Sequence, residues 1–123
     1  MALYHFHVDQ VKRSEGCSAV ASAAYRAGEK LHNLWDGETH DYTKKGGVVF
    51  TEIMLPPNAP RAYADPQTLW NAVDAAETSV NAQTARSMLF ALPRELTDEQ
   101  NLALVRDFCQ KEFVDKGMVC NFF

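Results

Sequence analysis

One tyrosine stands among small residues in the segment GCSAVASAAYRAGEKL (16–31). The phenol of Tyr25 has an ordinary pKa of about 10, so it attacks phosphorus only where its charge is stabilised. Small neighbours such as Ala21, Ala24 and Gly28 would let a sugar-phosphate backbone approach it. Taken without context, the same pattern more simply predicts an aromatic anchor that packs an alanine-rich helix on a sheet.

Histidines offer a second kind of chemistry. His5 and His7 flank Phe6 in the first apolar segment, and on a strand positions i and i+2 point to the same face. Two histidines lack the remaining ligands of a metal site, so we expect ordinary strand residues. His32 and His40 lie in or near a loop and complete no recognisable spacing. The residues therefore predict no metal site.

Cysteine chemistry is not indicated either. Cys17 would stand near the start of a helix, where a thiol pKa falls, but no histidine is tied to it. Packing is the expected role. The three cysteines are an odd number without paired spacing, which fits a reducing compartment.

The length and composition predict one domain. The chain has 123 residues and 46% hydrophobic residues, enough for a core without disulfides or a structural metal. The N-terminus lacks the pattern of a signal peptide, and no apolar run approaches the roughly 20 residues of a membrane span. We expect a cytoplasmic protein with no membrane partner.

The charge is unevenly distributed. Residues 1–61 carry seven Lys/Arg and seven Asp/Glu, whereas residues 62–123 carry five and nine, which gives the net charge of −4. Proteins that bind by neutralising phosphates usually show a basic excess. The balance counts against tight nucleic-acid binding by the isolated chain.

The N-terminal half predicts a strand, a helix, a hairpin-like loop and a second strand. Alternation favours a strand at ALYHFHVD (2–9). Alanine content favours a helix from Cys17 to about Leu31, with Gly28 late in it as a weak position or an early stop. A long loop or irregular hairpin follows at 31–47, and VVFTEIML (48–55) is the second strand.

The C-terminal half predicts two helices and two strands. Asp65 is a plausible N-cap with Pro66 at the first helical position, and Thr97–Gln100 fits a capping box. Strands are expected at ARSMLFALP (85–93) and MVCNFF (118–123), giving the order β-α-β-α-β-α-β. The apolar face of the first of these helices comprises Leu69, Val73, Ala76 and Val80.

Several blocks together resemble the MobA/MobL family of plasmid relaxases, which cut one DNA strand at a transfer origin and stay covalently joined to it. The resemblance implies an α+β fold, an antiparallel sheet with helices on one side, and one truncated relaxase-like domain over residues 1–123. The blocks are RSEGCSAVASAAYRAG (13–28), HDYTKKGGVVFTEIMLP (40–56), LWNAVDAAE (69–77), ALPRELTDEQNLALVRDF (91–108) and FVDKGMV (113–119).

The resemblance also assigns roles. Tyr25 occupies the position of the family's nucleophile. Independently of the family, Arg13 and Arg26 are candidate phosphate ligands because they are basic and near Tyr25 in sequence. The family's divalent metal sits on three histidines that follow the GMV block. No histidine follows His40 in this sequence, so we predict no metal and no other cofactor.

A second departure concerns acids. The family commonly shows glutamates at alternate positions before the ALPREL block, where this chain has Ser87 and Leu89. Leu89 can neither accept a proton nor support a metal ligand. The sequence therefore predicts a nucleophile inherited without its helpers.

Two functions follow. The first, which the sequence favours, is a mobile-element binding protein that cannot nick, with a host nucleic-acid-handling complex as partner, for example as inhibitor of a CRISPR-type effector. The alternative is the N-terminal part of a relaxase that nicks single-stranded origin DNA through Tyr25, with Mg²⁺ or Mn²⁺ held by a missing C-terminal part.

Overall fold

The computed structural model describes residues 6–15, 18–77, 79 and 81–123. Within these ranges the chain is α+β, as predicted, with antiparallel strand pairs and three α-helices. The strands are β1 (Phe6–Lys12), β2 (Lys30–His32), β3 (Thr39–Asp41), β4 (Glu52–Met54), β5 (Gln83–Phe90) and β6 (Cys120–Phe122). The α-helices are α1 (Ala19–Ala27), α2 (Pro66–Ala76) and α3 (Asp98–Glu112), and short 3-10 turns cover Arg13–Glu15, Arg61–Ala64 and Val114–Lys116.

The strands pair two by two rather than in the single sheet that was expected. β1 pairs with β5 from Phe6↔Phe90 onward, with an irregularity between Val11 and Lys12. β2 pairs with β3, and β4 pairs with β6. Four of the described strands are only three residues long, too short to extend their ladders into one continuous sheet.

The predicted helix does not reach Leu31 but ends at the early stop that Gly28 offers, and Cys17 lies outside the described residues. The helix stops at Ala27 because Gly28 adopts φ +66°, a left-handed conformation that ends a helix, and donates its N–H to the last turn. Lys30 then begins β2 of a β2–β3 hairpin. The hairpin expected at 31–47 is confirmed, and the order becomes β-α-β-β-β-α-β-α-β.

Helix α1 is fixed at its N-terminus by a residue of α2. The Ser18 hydroxyl accepts the Ala21 N–H, and the Asp74 carboxylate accepts the N–H groups of Ala19 and Val20 at 3.2 and 3.3 Å. Asp74 is 2% exposed. The Arg13 guanidinium lies 3.9 Å from this carboxylate and donates to the Asp74 carbonyl at 2.6 Å. The end of β1, α1 and α2 are thus joined through one acidic residue.

The core lies between α1, α2 and the hairpin. Buried residues Val20, Ala23, Ala24 and Leu31 pack together, with Tyr42 and Trp70 against them. Alanines on this face let α1 approach its neighbours closely.

Both predicted N-caps of the later helices are confirmed. The Asp65 carboxylate accepts the Thr68 N–H, and Thr97 forms a reciprocal capping box with Gln100. The predicted apolar face of α2 is buried only at its N-terminal end, where Leu69 lies, whereas Ala76 near its C-terminal end is exposed. Val80 and the predicted strand residues 2–5 lie outside the described residues. None of the helices in the described ranges is long and apolar enough to cross a membrane.

Replacing Asp74 tests the link between α1 and α2. Asp74→Ala leaves two buried N–H groups and the Arg13 charge without their acceptor, so we expect a loss of about 2–4 kcal/mol of unfolding free energy. Urea denaturation followed by circular dichroism measures it. Asp107→Ala removes an acid from the exposed pair with Lys111 and should cost less than about 1 kcal/mol. Equal losses in the two variants would contradict the capping role.

Two thiols meet between α3 and β6. Cys109 and Cys120 hydrogen-bond each other, and burial raises the pKa of both, that of Cys120 to about 12. The neutral thiols are therefore the stable forms in the folded protein.

The raised pKa predicts instability at high pH. Below pH 9.0, the ordinary thiol pKa, Cys120 is neutral in both states, and its contribution to stability is complete. Between pH 9.0 and about 12 only the unfolded thiol ionises, so stability falls. Cys120→Ala should flatten this part of the pH dependence in urea denaturation at a series of pH values; curves of equal slope would refute the assignment.

Candidate functional site

The phenol singled out by the sequence is exposed in the structure. Tyr25 lies in the last turn of α1 with 54% of its surface accessible, while the opposite face of the helix is buried. The interpretation of Tyr25 as an aromatic anchor therefore fails, because the buried anchors of α1 are Val20 and alanines. The phenol is presented to solvent.

Tyr25 lines an open cleft of about 380 Å³ between α1 and the β1–β5 pair. The helix contributes one stripe of mostly small residues at spacings of three and four, which brings the backbone close to whatever occupies the cleft. The lining residues are Ser18, Ala21, Ser22, Tyr25 and Arg26 of α1 and its cap, Asp9, Gln10 and Val11 of β1, and Ser87 of β5.

The Tyr25 ring is held by two neighbours from the segment after β2. Tyr42 meets it edge to face, with centroids 5.3 Å apart and planes at 88°. The Lys45 ammonium lies 4.0 Å from the ring centroid and donates to the Tyr25 carbonyl at 2.8 Å. No hydrogen bond joins the phenol oxygen to another of the described residues, and the Tyr25 side chain is exposed.

The two predicted phosphate ligands occupy different environments. Arg26 lines the cleft beside Tyr25 and is partly accessible. Arg13 donates to the carbonyls of Asp74 and Glu77, and its guanidinium lies 4.5 Å from the Trp35 ring. Only 14% of the Arg13 side chain is accessible, so its observed contacts are structural, and phosphate binding by Arg13 stays a prediction.

The strand wall of the cleft carries few groups with acid–base chemistry. Ser87 lies directly opposite Asp9 in the ladder and lines the cleft. Leu89, on the same face two residues on, is 55% exposed. Asp9 is thus the one carboxylate among the described lining residues.

The cleft residues do not form a metal site. His7 is exposed on β1, and His5 lies outside the described residues. In the part of the chain that the structure describes, one group of potential ligands occurs, Asp36, Glu38 and His40 of the β2–β3 hairpin, with ligand atoms within 4.8 Å of one another. It contains a single histidine and none of its members lines the cleft, so it does not fit the three-histidine site that the resemblance implies.

Sequence reasoning missed the neighbours of Tyr25. Nothing in the sequence indicates that Lys45 and Tyr42 lie beside Tyr25. Both lie across a β-hairpin from α1, so their contacts with Tyr25 depend on how the chain folds back after β2. The signal that was available is Gly28, whose helix-ending role allows that return.

The α+β architecture, with an exposed phenol on a helix of small residues beside an antiparallel strand pair, agrees with the relaxase-like fold that the resemblance implies. The family model described as "MobA/MobL family" matches residues 17–123. The chain belongs to the MobA/MobL family.

Similar proteins are named for conjugal transfer or mobilization. "Conjugal transfer protein TraA" of Agrobacterium fabrum is 44% identical over a 131-residue alignment that covers 98% of this chain and 12% of that protein. "Probable mobilization protein MobA" of Bifidobacterium longum is 35% identical, with 99% of this chain and 22% of that protein covered. This chain therefore spans less than a quarter of the length of these two relatives.

A solved structure shares the fold. The chain studied in "Molecular Basis of Vancomycin Resistance Transfer in Staphylococcus aureus" superposes with a TM-score of 0.92 at 32% identity. The match covers 98% of this chain and 61% of that one.

The two arginines should respond differently to truncation. Arg13→Ala removes charged hydrogen bonds to two carbonyls and should lower the unfolding free energy by about 1.5–3 kcal/mol. Arg26→Ala leaves no carbonyl of the described residues without its hydrogen-bond donor, so the unfolding free energy should change by about 0.5 kcal/mol or less. Urea denaturation of both variants measures this, and a larger loss in Arg26→Ala would contradict the division of roles.

Proposed function

We propose that this chain is the part of a MobA/MobL relaxase that supplies the tyrosine nucleophile for cutting single-stranded origin-of-transfer DNA. The observation that carries the proposal is the exposed Tyr25 phenol at an open cleft lined by small residues. Family membership and the names of the relatives support it.

The reaction is a transesterification. The Tyr25 oxygen attacks a backbone phosphorus, an O–P bond forms, and the bond from phosphorus to one of its ester oxygens breaks. The departing sugar oxygen takes up a proton, and the phenolic proton goes to solvent or to a carboxylate such as Asp9. The DNA strand remains attached to the protein as a phosphotyrosine.

The chain's own residues bind and orient the DNA. Arg26 and Lys45 place two positive charges beside Tyr25, against the single carboxylate of Asp9 in the cleft. This local balance favours a phosphate even though the whole chain has a net charge of −4. The small residues Ala21 and Ser22 leave room for the sugar-phosphate backbone next to the phenol.

A divalent metal would polarise the phosphate and stabilise its developing charge. Because the described cleft residues do not fit such an ion, its ligands would come from another part of the longer protein. The steps assigned to this chain are therefore presentation of the nucleophile and capture of the strand.

The inhibitor hypothesis stays a prediction. The family match and the similarity to conjugal transfer proteins support the relaxase segment better than an interaction with a host defence complex.

Covalent capture tests the proposal. Residues 1–123 replace the matching segment of the Agrobacterium fabrum relative, and the chimera is incubated with labelled single-stranded DNA of that relative's transfer origin and Mn²⁺ or Mg²⁺. We expect a DNA adduct that survives denaturing electrophoresis and disappears in Tyr25→Phe, because phenylalanine has no attacking oxygen. Tyr63→Phe, in the turn before α2, is the matched control and should retain the adduct.

Two outcomes would refute the proposal. An adduct that persists in Tyr25→Phe would mean that another group attacks. An inactive chimera alongside an active unmodified relative would mean that this segment does not provide a working nucleophile.

A further inference from the structure

We propose that Lys45 is a positioning residue that fixes the orientation of the Tyr25 ring at the cleft. The inference rests on the proposed function, since it concerns how the nucleophile is held. It starts from the Lys44-Lys45-Gly46-Gly47 turn, whose Lys45 supplies positive charge for phosphate binding but has no orienting role in the reaction proposed above.

The turn that carries Lys45 is internally braced. The Asp41 carboxylate accepts the N–H and the hydroxyl of Thr43 at 3.0 and 2.6 Å, and these bonds hold the pKa of Asp41 below its usual range. The Lys45 N–H donates to the Tyr42 carbonyl at 2.9 Å. The backbone at Lys45 therefore has a defined position after β3.

The same turn is fastened to the end of α1. The Tyr42 N–H donates to the Glu29 carbonyl at 3.1 Å. A Cβ on Gly28 would lie 3.6 Å from the Lys45 carbonyl and 3.7 Å from the Tyr42 carbonyl, which shows how closely the two segments pack. The left-handed conformation of Gly28 turns the chain so that this packing forms.

The Lys45 side chain then makes two contacts with the same residue. Its ammonium donates to the Tyr25 carbonyl at 2.8 Å, near the helix C-terminus where the backbone carries partial negative charge. It also lies 4.0 Å from the centroid of the Tyr25 ring, within the range of a cation–π interaction. One charge thus links the main chain and the side chain of the nucleophile.

Tyr42 completes the arrangement. Its ring meets Tyr25 edge to face at 5.3 Å, so that the half-exposed phenol has a cation on one side and an aromatic edge on another. A surface tyrosine without such neighbours samples several rotamers. Lys45 and Tyr42 together favour the one that lines the cleft.

Matched lysine variants test the inference. Lys45→Met keeps the aliphatic stem and removes the charge, Lys45→Arg keeps a cation, and Lys44→Met makes the same charge change one residue earlier. At saturating DNA in the Agrobacterium chimera, we expect Lys45→Met to slow adduct formation about three- to tenfold, because the nucleophile loses its fixed orientation. Lys45→Arg should recover most of the rate, and Lys44→Met should react like the wild type. Lys45→Met should also weaken DNA binding more than Lys44→Met does, because Lys45 contributes positive charge beside Tyr25, and saturating DNA keeps this difference out of the measured rate.

Nuclear magnetic resonance of the 123-residue chain provides a readout that needs no reaction. In the wild type the Lys45 ε-methylene protons should be shifted upfield by the Tyr25 ring, and nuclear Overhauser effects should join the Tyr25 and Tyr42 rings. The ring-to-ring effects should weaken in Lys45→Met and return in Lys45→Arg.

The outcomes separate this inference from the proposed function. Wild-type rates and unchanged ring contacts in Lys45→Met would overturn the role of Lys45 and leave Tyr25 as nucleophile. A chimera without any adduct would overturn the function, whereas the ring contacts would still show whether Lys45 orients Tyr25.

Discussion

The site depends on how a buried carboxylate holds the start of α1. The first turn of a helix has N–H groups without helical partners. Here the Asp74 carboxylate takes those of Ala19 and Val20, and Ser18 takes that of Ala21. A negative group at this end is also favoured by the helix dipole. Because Asp74 belongs to α2 and contacts Arg13 at the end of β1, the same residue sets the direction of α1 relative to the strand wall of the cleft.

The C-terminal end of α1 is also fixed by specific contacts. Gly28 ends the helix, the chain returns as the β2–β3 hairpin, and Tyr42 and Lys45 come to rest on Tyr25. The phenol therefore sits on the last turn of a helix that is fixed at both termini. Such a position combines exposure with a restricted orientation, which a nucleophile needs in order to attack along one line.

Local signals were sufficient for part of this structure. The capping residues Asp65 and Thr97 act within three positions of themselves, and their helices begin where the sequence predicts. Tyr25 was found because its neighbours are small and adjacent in sequence. These features depend on short-range chemistry that a single sequence displays directly.

Long-range contacts were not accessible in the same way. Asp74 lies 55 residues from the N–H group of Ala19, and nothing in the α2 pattern distinguishes it from a solvated acid. Arg13 was assigned to phosphate because it is basic and near Tyr25 in sequence, whereas folding directs it to α2 carbonyls. Alanine propensity extended α1 past Gly28 in the prediction, and β-branched residues extended β4 over Val49, which is 78% exposed and outside the strand.

The strand wall constrains how the phenol could lose its proton. Ser87 and Leu89 stand where the family resemblance places acids, and neither side chain is a useful base at neutral pH. Asp9 lies opposite Ser87 in the ladder, so its carboxylate belongs to the same wall of the cleft. In a chain with this wall, the phenolic proton would go to Asp9 or to solvent. Positive charge beside the phosphate would then stabilise the negative charge that develops in the transition state. Among the described residues, Arg26 lines the cleft and Lys45 contacts the Tyr25 ring, so in the proposed reaction these two side chains would supply that charge.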